Sequence, residues 1–300
     1  MEGLTTLTTE QRNPQTMELD QMNTAHILNT MNQADMLVAK KVQDVLPQIE
    51  DAVELIYTSL KQGGTLFYVG AGTSGRLAIL DAVECPPTFS TPPKMVQGVI
   101  AGGDQAFIKA VEGAEDDERV GEADLRARDL TEIDVVVGIA ASGRTPYVTG
   151  ALKYAQSIGA STVSLTSNKD AKISQHADVK IEVITGPEVL TGSTRLKAAT
   201  AHKLILNMLS TTTMIKVGKV YENLMVDVKV SNFKLKERAK NIIATITGVS
   251  IERAGIILDK ANLEVKPAIV MIQTHVSYEE AKQLIEEANG FVRQAIAAKK

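Results

Sequence analysis

Three loops rich in glycine and hydroxyl residues, and two carboxylates, are the parts of this chain whose residue types and spacing can do chemistry. Gly70-Ala71-Gly72-Thr73-Ser74-Gly75-Arg76 leaves a strand-like run and opens a helical one. Glycine lets the backbone approach an anion closely, and a helix start offers amides with no intrahelical acceptor and a partial positive charge. A phosphate is the expected guest, held by Gly72, Thr73 and Ser74. Gly70, Gly72 and Gly75 also satisfy G-x-G-x-x-G, but Asp104, the nearest acidic residue after the second strand, comes more than 30 residues after Gly70, too late for a dinucleotide ribose. A second loop, Ala141-Ser142-Gly143-Arg144-Thr145-Pro146, again follows a strand, with Ser142, Gly143 and Thr145 as candidate ligands and the next helix as a further source of backbone donors. A third, Thr191-Gly192-Ser193-Thr194-Arg195-Leu196-Lys197, opens a long apolar helix, and there Thr191, Ser193, Thr194 and Lys197 are candidates. Each loop taken alone also reads as a tight turn or a capped helix without a ligand.

The carboxylates are Glu84, in Asp81-Ala82-Val83-Glu84-Cys85-Pro86-Pro87, and Glu115, in the acidic run 112–118. Glu84 is expected at the end of the helix that the first loop begins, where the negative end of the dipole disfavours ionisation and suits a proton donor. Its plain alternative is a solvated surface glutamate, and that of Glu115 a solvated acidic turn. The ten residues of helix from Ser74 to Glu84 rise roughly 15 Å, too far for one small ligand to reach both ends. Glu84 is therefore expected to serve a phosphate other than the one at its own helix start, in a site shared between two subunits.

The elements that must position these groups follow from periodicity. Val42, Leu46, Ile49, Val53, Ile56 and Leu60 recur at helical spacing, with Pro47 starting a helix and Gly63-Gly64 ending it. Strands are expected over 65–69, 96–101, 134–140, 161–166 and 179–184, with helices between most of them. That alternation, and the continuous apolar run Val135-Val136-Val137-Gly138-Ile139, predict an α/β fold: a three-layer αβα sandwich around a central parallel sheet. No strand is expected beyond Lys219, and a small helical domain follows, with caps at Ser250 and Ser277 and breaks near Asn262 and Pro267. The expected division is an N-terminal helical segment over 1–50, the α/β domain over 51–230 and a C-terminal helical domain over 231–300.

Composition narrows the function classes. The chain has 300 residues, 44% of them hydrophobic, and a net charge of −4. Its basic residues are scattered, so no nucleic acid is expected as a partner. No apolar run approaches the roughly 20 residues of a membrane span, and 1–14 has neither the basic nor the apolar part of a secretory signal; the expectation is a cytoplasmic protein without a membrane partner. Cys85 is the only cysteine, and His26, His176, His202 and His275 are dispersed, so neither a disulfide nor a metal site is expected.

Several of these stretches in this order resemble one family. Thr9-Glu10-Gln11-Arg12-Asn13-Pro14, the 70–76 loop, Glu84-Cys85-Pro86-Pro87-Thr88-Phe89, Ala101-Gly102-Gly103, 112–117 and 191–197 together are similar to the N-acetylmuramic acid 6-phosphate etherases, members of the sugar isomerase (SIS) domain superfamily, over nearly the whole chain. The resemblance implies a homodimer acting on a 6-phosphosugar in cell-wall amino-sugar breakdown, without metal or organic cofactor, with Glu84 as proton donor and Glu115 as second acid/base. It departs in one place: the SIS phosphate loop often reads Ser-x-Ser-Gly-x-Thr, whereas Ala140 holds the first serine position, leaving Ser142 and Thr145. The implied chemistry is elimination. In the open-chain sugar the C3 ether lies β to the C1 aldehyde, so removal of the C2 proton expels lactate, and water then adds at C3. An aldose–ketose isomerase, or a non-enzymatic sensor similar to the glucokinase regulatory protein, would use the same loops.

Overall fold

The computed structural model describes residues 7–109, 111–228, 230 and 232–299. Their order is α1 (Thr24–Met36), α2 (Val38–Gln43), α3 (Leu46–Lys61), β1 (Leu66–Gly70), α4 (Gly72–Phe89), β2 (Val96–Ile100), α5 (Gln105–Ile108), α6 (Glu118–Arg126), β3 (Val135–Ile139), α7 (Pro146–Ser157), β4 (Ser161–Thr166), β5 (Val179–Glu182) and α8 (Lys197–Lys216). Then come β6 (Val220–Tyr221), β7 (Leu224–Met225), α9 (Phe233–Thr247), α10 (Ile251–Lys260), α11 (Val265–Thr274), α12 (Tyr278–Glu287) and α13 (Val292–Ala297). The chain divides into two compact units: 1–83 with 94–210, and 84–93 with 211–300.

The first unit is the expected parallel α/β sheet, in the order β2-β1-β3-β4-β5. Every residue of β1 and β3 is buried, as strands covered on both faces require. The chain steps from β1 to β2 on one side and then crosses back to β3 on the other. β1 and β3 thus form the switch point, outside whose carboxyl ends open α/β sheets bind ligands. In register, Gly70 stands opposite Ile139, so the 71–74 and 140–145 loops leave neighbouring strands at one level. One core cluster joins Phe67, Val69 and Val136 of the sheet to Tyr147, Val148, Ala151 and Leu152 of α7.

The α6–α7 crossing depends on two glycines. A Cβ on Gly121 would collide with the Tyr147 carbonyl, and one on Gly150 with the Glu118 carbonyl, so the helices meet backbone to backbone.

The second unit is helical, closed around Ile243, Leu258, Ile269, Val270 and Ala295. Ser250 caps α10 by accepting from the Arg253 amide at 3.2 Å, and Ser277 caps α12 by accepting from the Glu280 amide at 3.2 Å, both as expected. Pro267 lies in the first turn of α11, where its missing N–H costs nothing. One expectation fails here: strands do not stop at Lys219, because β6 and β7 pair antiparallel. Two residues per strand are too few to leave an alternating pattern.

A second correction concerns α4, which does not end at Glu84 but continues through Pro86 and Pro87 to Phe89. Each proline deprives the carbonyl four residues back of its amide, yet the Ser90 amide still bonds to the Pro86 carbonyl at 3.0 Å. Glu84 therefore lies within the helix and not at its end. No single helix among the described residues is long and apolar enough to cross a membrane.

Candidate active site

In the first unit, the ends of β1 and β3 and the start of α8 enclose a cavity of about 220 Å³. Of the expected ligands, it is lined by Gly72, Thr73 and Ser74 of the first loop, Ser142 and Thr145 of the second, Thr194 of the third, and Glu115. A neighbouring cavity of about 400 Å³ shares Ala71, Gly72 and Glu115. The other expected residues stand elsewhere. Gly143 is buried at φ +70°, where a Cβ would run into Ala171, so its task is the turn itself. Thr191 is exposed and lines a separate groove with Arg12 and Asn13. Ser193 is half-buried and lines neither cavity. Lys197 is buried, and its Nζ donates to the Thr185 carbonyl at 2.9 Å; burial pushes its ammonium down, against the pull of Glu188. Glu84 is exposed and belongs to the second unit.

The three helix starts are not equivalent. At α8, the fully buried Glu188 accepts from the amides of Lys197 at 3.0 Å and Ala198 at 2.9 Å, so a carboxylate of the chain already occupies that anion position. At α7, Pro146 has no N–H, and the Tyr147 amide donates to the Glu115 carbonyl at 3.0 Å. The Arg144 amide donates to Ser142 Oγ at 3.3 Å and the Gly143 amide to the Ala140 carbonyl at 2.9 Å. The amides of Gly143, Arg144 and Tyr147 are thus engaged within the protein, while Ser142 and Thr145 line the cavity. At α4, Gly72, Thr73 and Ser74 of the first turn line the cavity, and a helix start offers amides with no intrahelical acceptor.

Two lining residues escaped the sequence reading. His202, on α8, is fully buried; its Nε2 lies 3.1 Å from Ser167 Oγ, and its Nδ1 has no partner among the described residues. Burial pushes its imidazole down to about 4, so the ring is neutral at ordinary pH. Glu10 reaches the same cavity from the N-terminal segment. A lone histidine in an apolar helix and a glutamate 60 residues before the first loop carry no local signal of a site. Among the described residues no group of three or more His, Cys, Asp or Glu side chains is placed to hold a metal ion.

Comparison with known proteins gives the family and the fold. The chain matches the glucokinase regulatory protein N-terminal SIS domain over residues 39–156 and the SIS domain over 119–212. It resembles a phosphoheptose isomerase from Francisella tularensis in fold, with a TM-score of 0.52 at 19% identity, over 65% of this chain and 100% of that one. The N-acetylmuramic acid 6-phosphate etherase of Bacillus subtilis (strain 168) is 57% identical over 290 residues, covering 97% of this chain and 95% of that protein. That of Bacillus pumilus (strain SAFR-032) is 58% identical over 294 residues, covering 98% and 97%. The chain belongs to the N-acetylmuramic acid 6-phosphate etherase family.

Proposed function

We propose that this protein is a carbon–oxygen lyase that cleaves the D-lactyl ether of N-acetylmuramic acid 6-phosphate, giving N-acetylglucosamine 6-phosphate and D-lactate. The observation that carries the reading is one cavity combining the open α4 start, the hydroxyls of Thr73, Ser74, Ser142, Thr145 and Thr194, and the carboxylate of Glu115, in a chain 57% identical to an etherase along nearly its full length. The α4 amides and hydroxyls grip the 6-phosphate. Glu115 removes the C2 proton of the open-chain sugar, Glu84 gives a proton to the departing lactyl oxygen, and water adds at C3. An acid or base placed in this way contributes about 10²- to 10⁴-fold.

Glu84, on α4 well beyond its first turn, acts in this reading on the substrate bound by the other subunit of a homodimer, in the cytoplasm. Mixing Glu84→Gln chains with Ser142→Ala/Thr145→Ala chains, at a substrate concentration where neither parent turns over, then restores part of the activity; absence of rescue in confirmed mixed dimers counts against the shared site.

The direct test is release of D-lactate from N-acetylmuramic acid 6-phosphate by the wild type beside Glu84→Gln and Glu115→Gln. The reading requires release by the wild type and its loss in both variants. Interconversion of aldose and ketose phosphates without lactate would make the protein an isomerase instead.

A further inference from the structure

Glu10 is carried into the cavity by a segment stitched to the sheet from far along the chain. The buried Asn168, just past β4, accepts from the Thr8 amide at 2.7 Å through Oδ1 and donates from Nδ2 to Thr9 Oγ1 at 3.1 Å. The same Nδ2 donates to the Ala141 carbonyl at 3.0 Å, in the loop that carries Ser142 and Thr145. Thr9 is 1% exposed, so the residue before Glu10 is held as firmly as core. The Glu10 carboxylate itself reaches Gly192, where a Cβ would stand 3.4 Å from Oε2.

Charge decides what such a carboxylate can face. Among the described residues lining the cavity there is no Lys or Arg; its formal charges are Glu10 and Glu115, and His202 is neutral. A phosphate bound at the α4 start is repelled by both carboxylates, increasingly at short range. Glu10 must therefore face the part of the ligand that carries N–H and O–H donors and no negative charge.

Building on the etherase reading, we infer that Glu10 is a substrate-recognising residue, accepting hydrogen bonds from the hydroxyl and acetamido groups of the bound amino sugar. It selects the sugar, while the α4 start and the hydroxyls select the phosphate.

The test compares wild type with Glu10→Gln, which keeps size and removes charge. Loss of a charge-assisted hydrogen bond made equally in ground and transition states predicts a KM raised about tenfold or more with kcat nearly unchanged. Inhibition by inorganic phosphate, which lacks the sugar, should stay within about threefold of wild type. An unchanged KM, or a KM increase matched by the same loss of phosphate inhibition, overturns the assignment. Should the wild type release no lactate, the etherase reading fails by itself. The thermal shift induced by N-acetylglucosamine 6-phosphate then still decides Glu10: a shift diminished in Glu10→Gln supports it, and an equal shift overturns it.

Discussion

The amide of Tyr147 donates to the main-chain carbonyl of Glu115 at 3.0 Å, fixing the backbone of the candidate base to the first turn of the helix that follows Thr145. The same tyrosine is anchored at its other end, where its hydroxyl donates to Asp124 Oδ2 at 2.6 Å; burial and that carboxylate push the phenol well above its ordinary range. The candidate base and the candidate phosphate loop are thus tied together through Tyr147.

Gly150→Ala should separate that assembly, because the added methyl meets the Glu118 carbonyl. Overpacking of this kind costs about 1–3 kcal/mol. The expected result is a lowered Tm together with a kcat loss larger than that of an equally destabilising core substitution away from α6. Wild-type kcat in Gly150→Ala would break the link between helix packing and Glu115.

Ser142→Ala and Thr145→Ala each remove a hydroxyl from the cavity lining. Each should raise KM roughly tenfold, as loss of one hydrogen bond to a charged group predicts, and weaken inhibition by inorganic phosphate in proportion. Lys197→Met should leave that inhibition unchanged, since the lysine is engaged with the Thr185 carbonyl. A large loss of phosphate inhibition in Lys197→Met would return the third loop to the phosphate site.

His202 makes stability depend on pH. The unfolded chain takes up a proton near pH 6.5, whereas the folded ring stays neutral down to about pH 4. Stability therefore falls as pH drops through that window, by about 3 kcal/mol in total. Urea titrations at pH 7, 5.5 and 4 should find this slope reduced in His202→Gln, and parallel slopes would rule the histidine out.

Asp227 holds two lysines of the second unit, Lys266 at 2.7 Å and Lys219 at 3.0 Å, and the Lys266 side chain is only 8% exposed. Burial pushes its ammonium down and Asp227 opposes that shift. Asp227→Ala leaves a desolvated cation and should destabilise the unit by about 3 kcal/mol, whereas the double variant with Lys266→Met should recover most of the loss. Equal destabilisation in both would show that packing, not charge, is at stake.

The parallel sheet was legible because its strands are short apolar runs bounded by glycine loops: 161–166 was expected, and β4 occupies those residues. The Ser250 and Ser277 caps were legible because a cap is a local hydrogen bond. What escaped the sequence depends on contacts between distant residues. Glu188 closes the α8 start from nine residues away through a fold in the chain, and the separation of 160 positions from Thr8 to Asn168 conceals how Glu10 is placed. Glu84 was expected at the end of its helix, and α4 instead runs on through Pro86 and Pro87 to Phe89.

Turnover in heavy water tests the elimination most directly. If Glu115 strips the C2 proton and that carbon is protonated again after water has added at C3, the recovered N-acetylglucosamine 6-phosphate carries one solvent deuterium at C2. Product released with lactate but holding its original hydrogen at C2 would contradict the account.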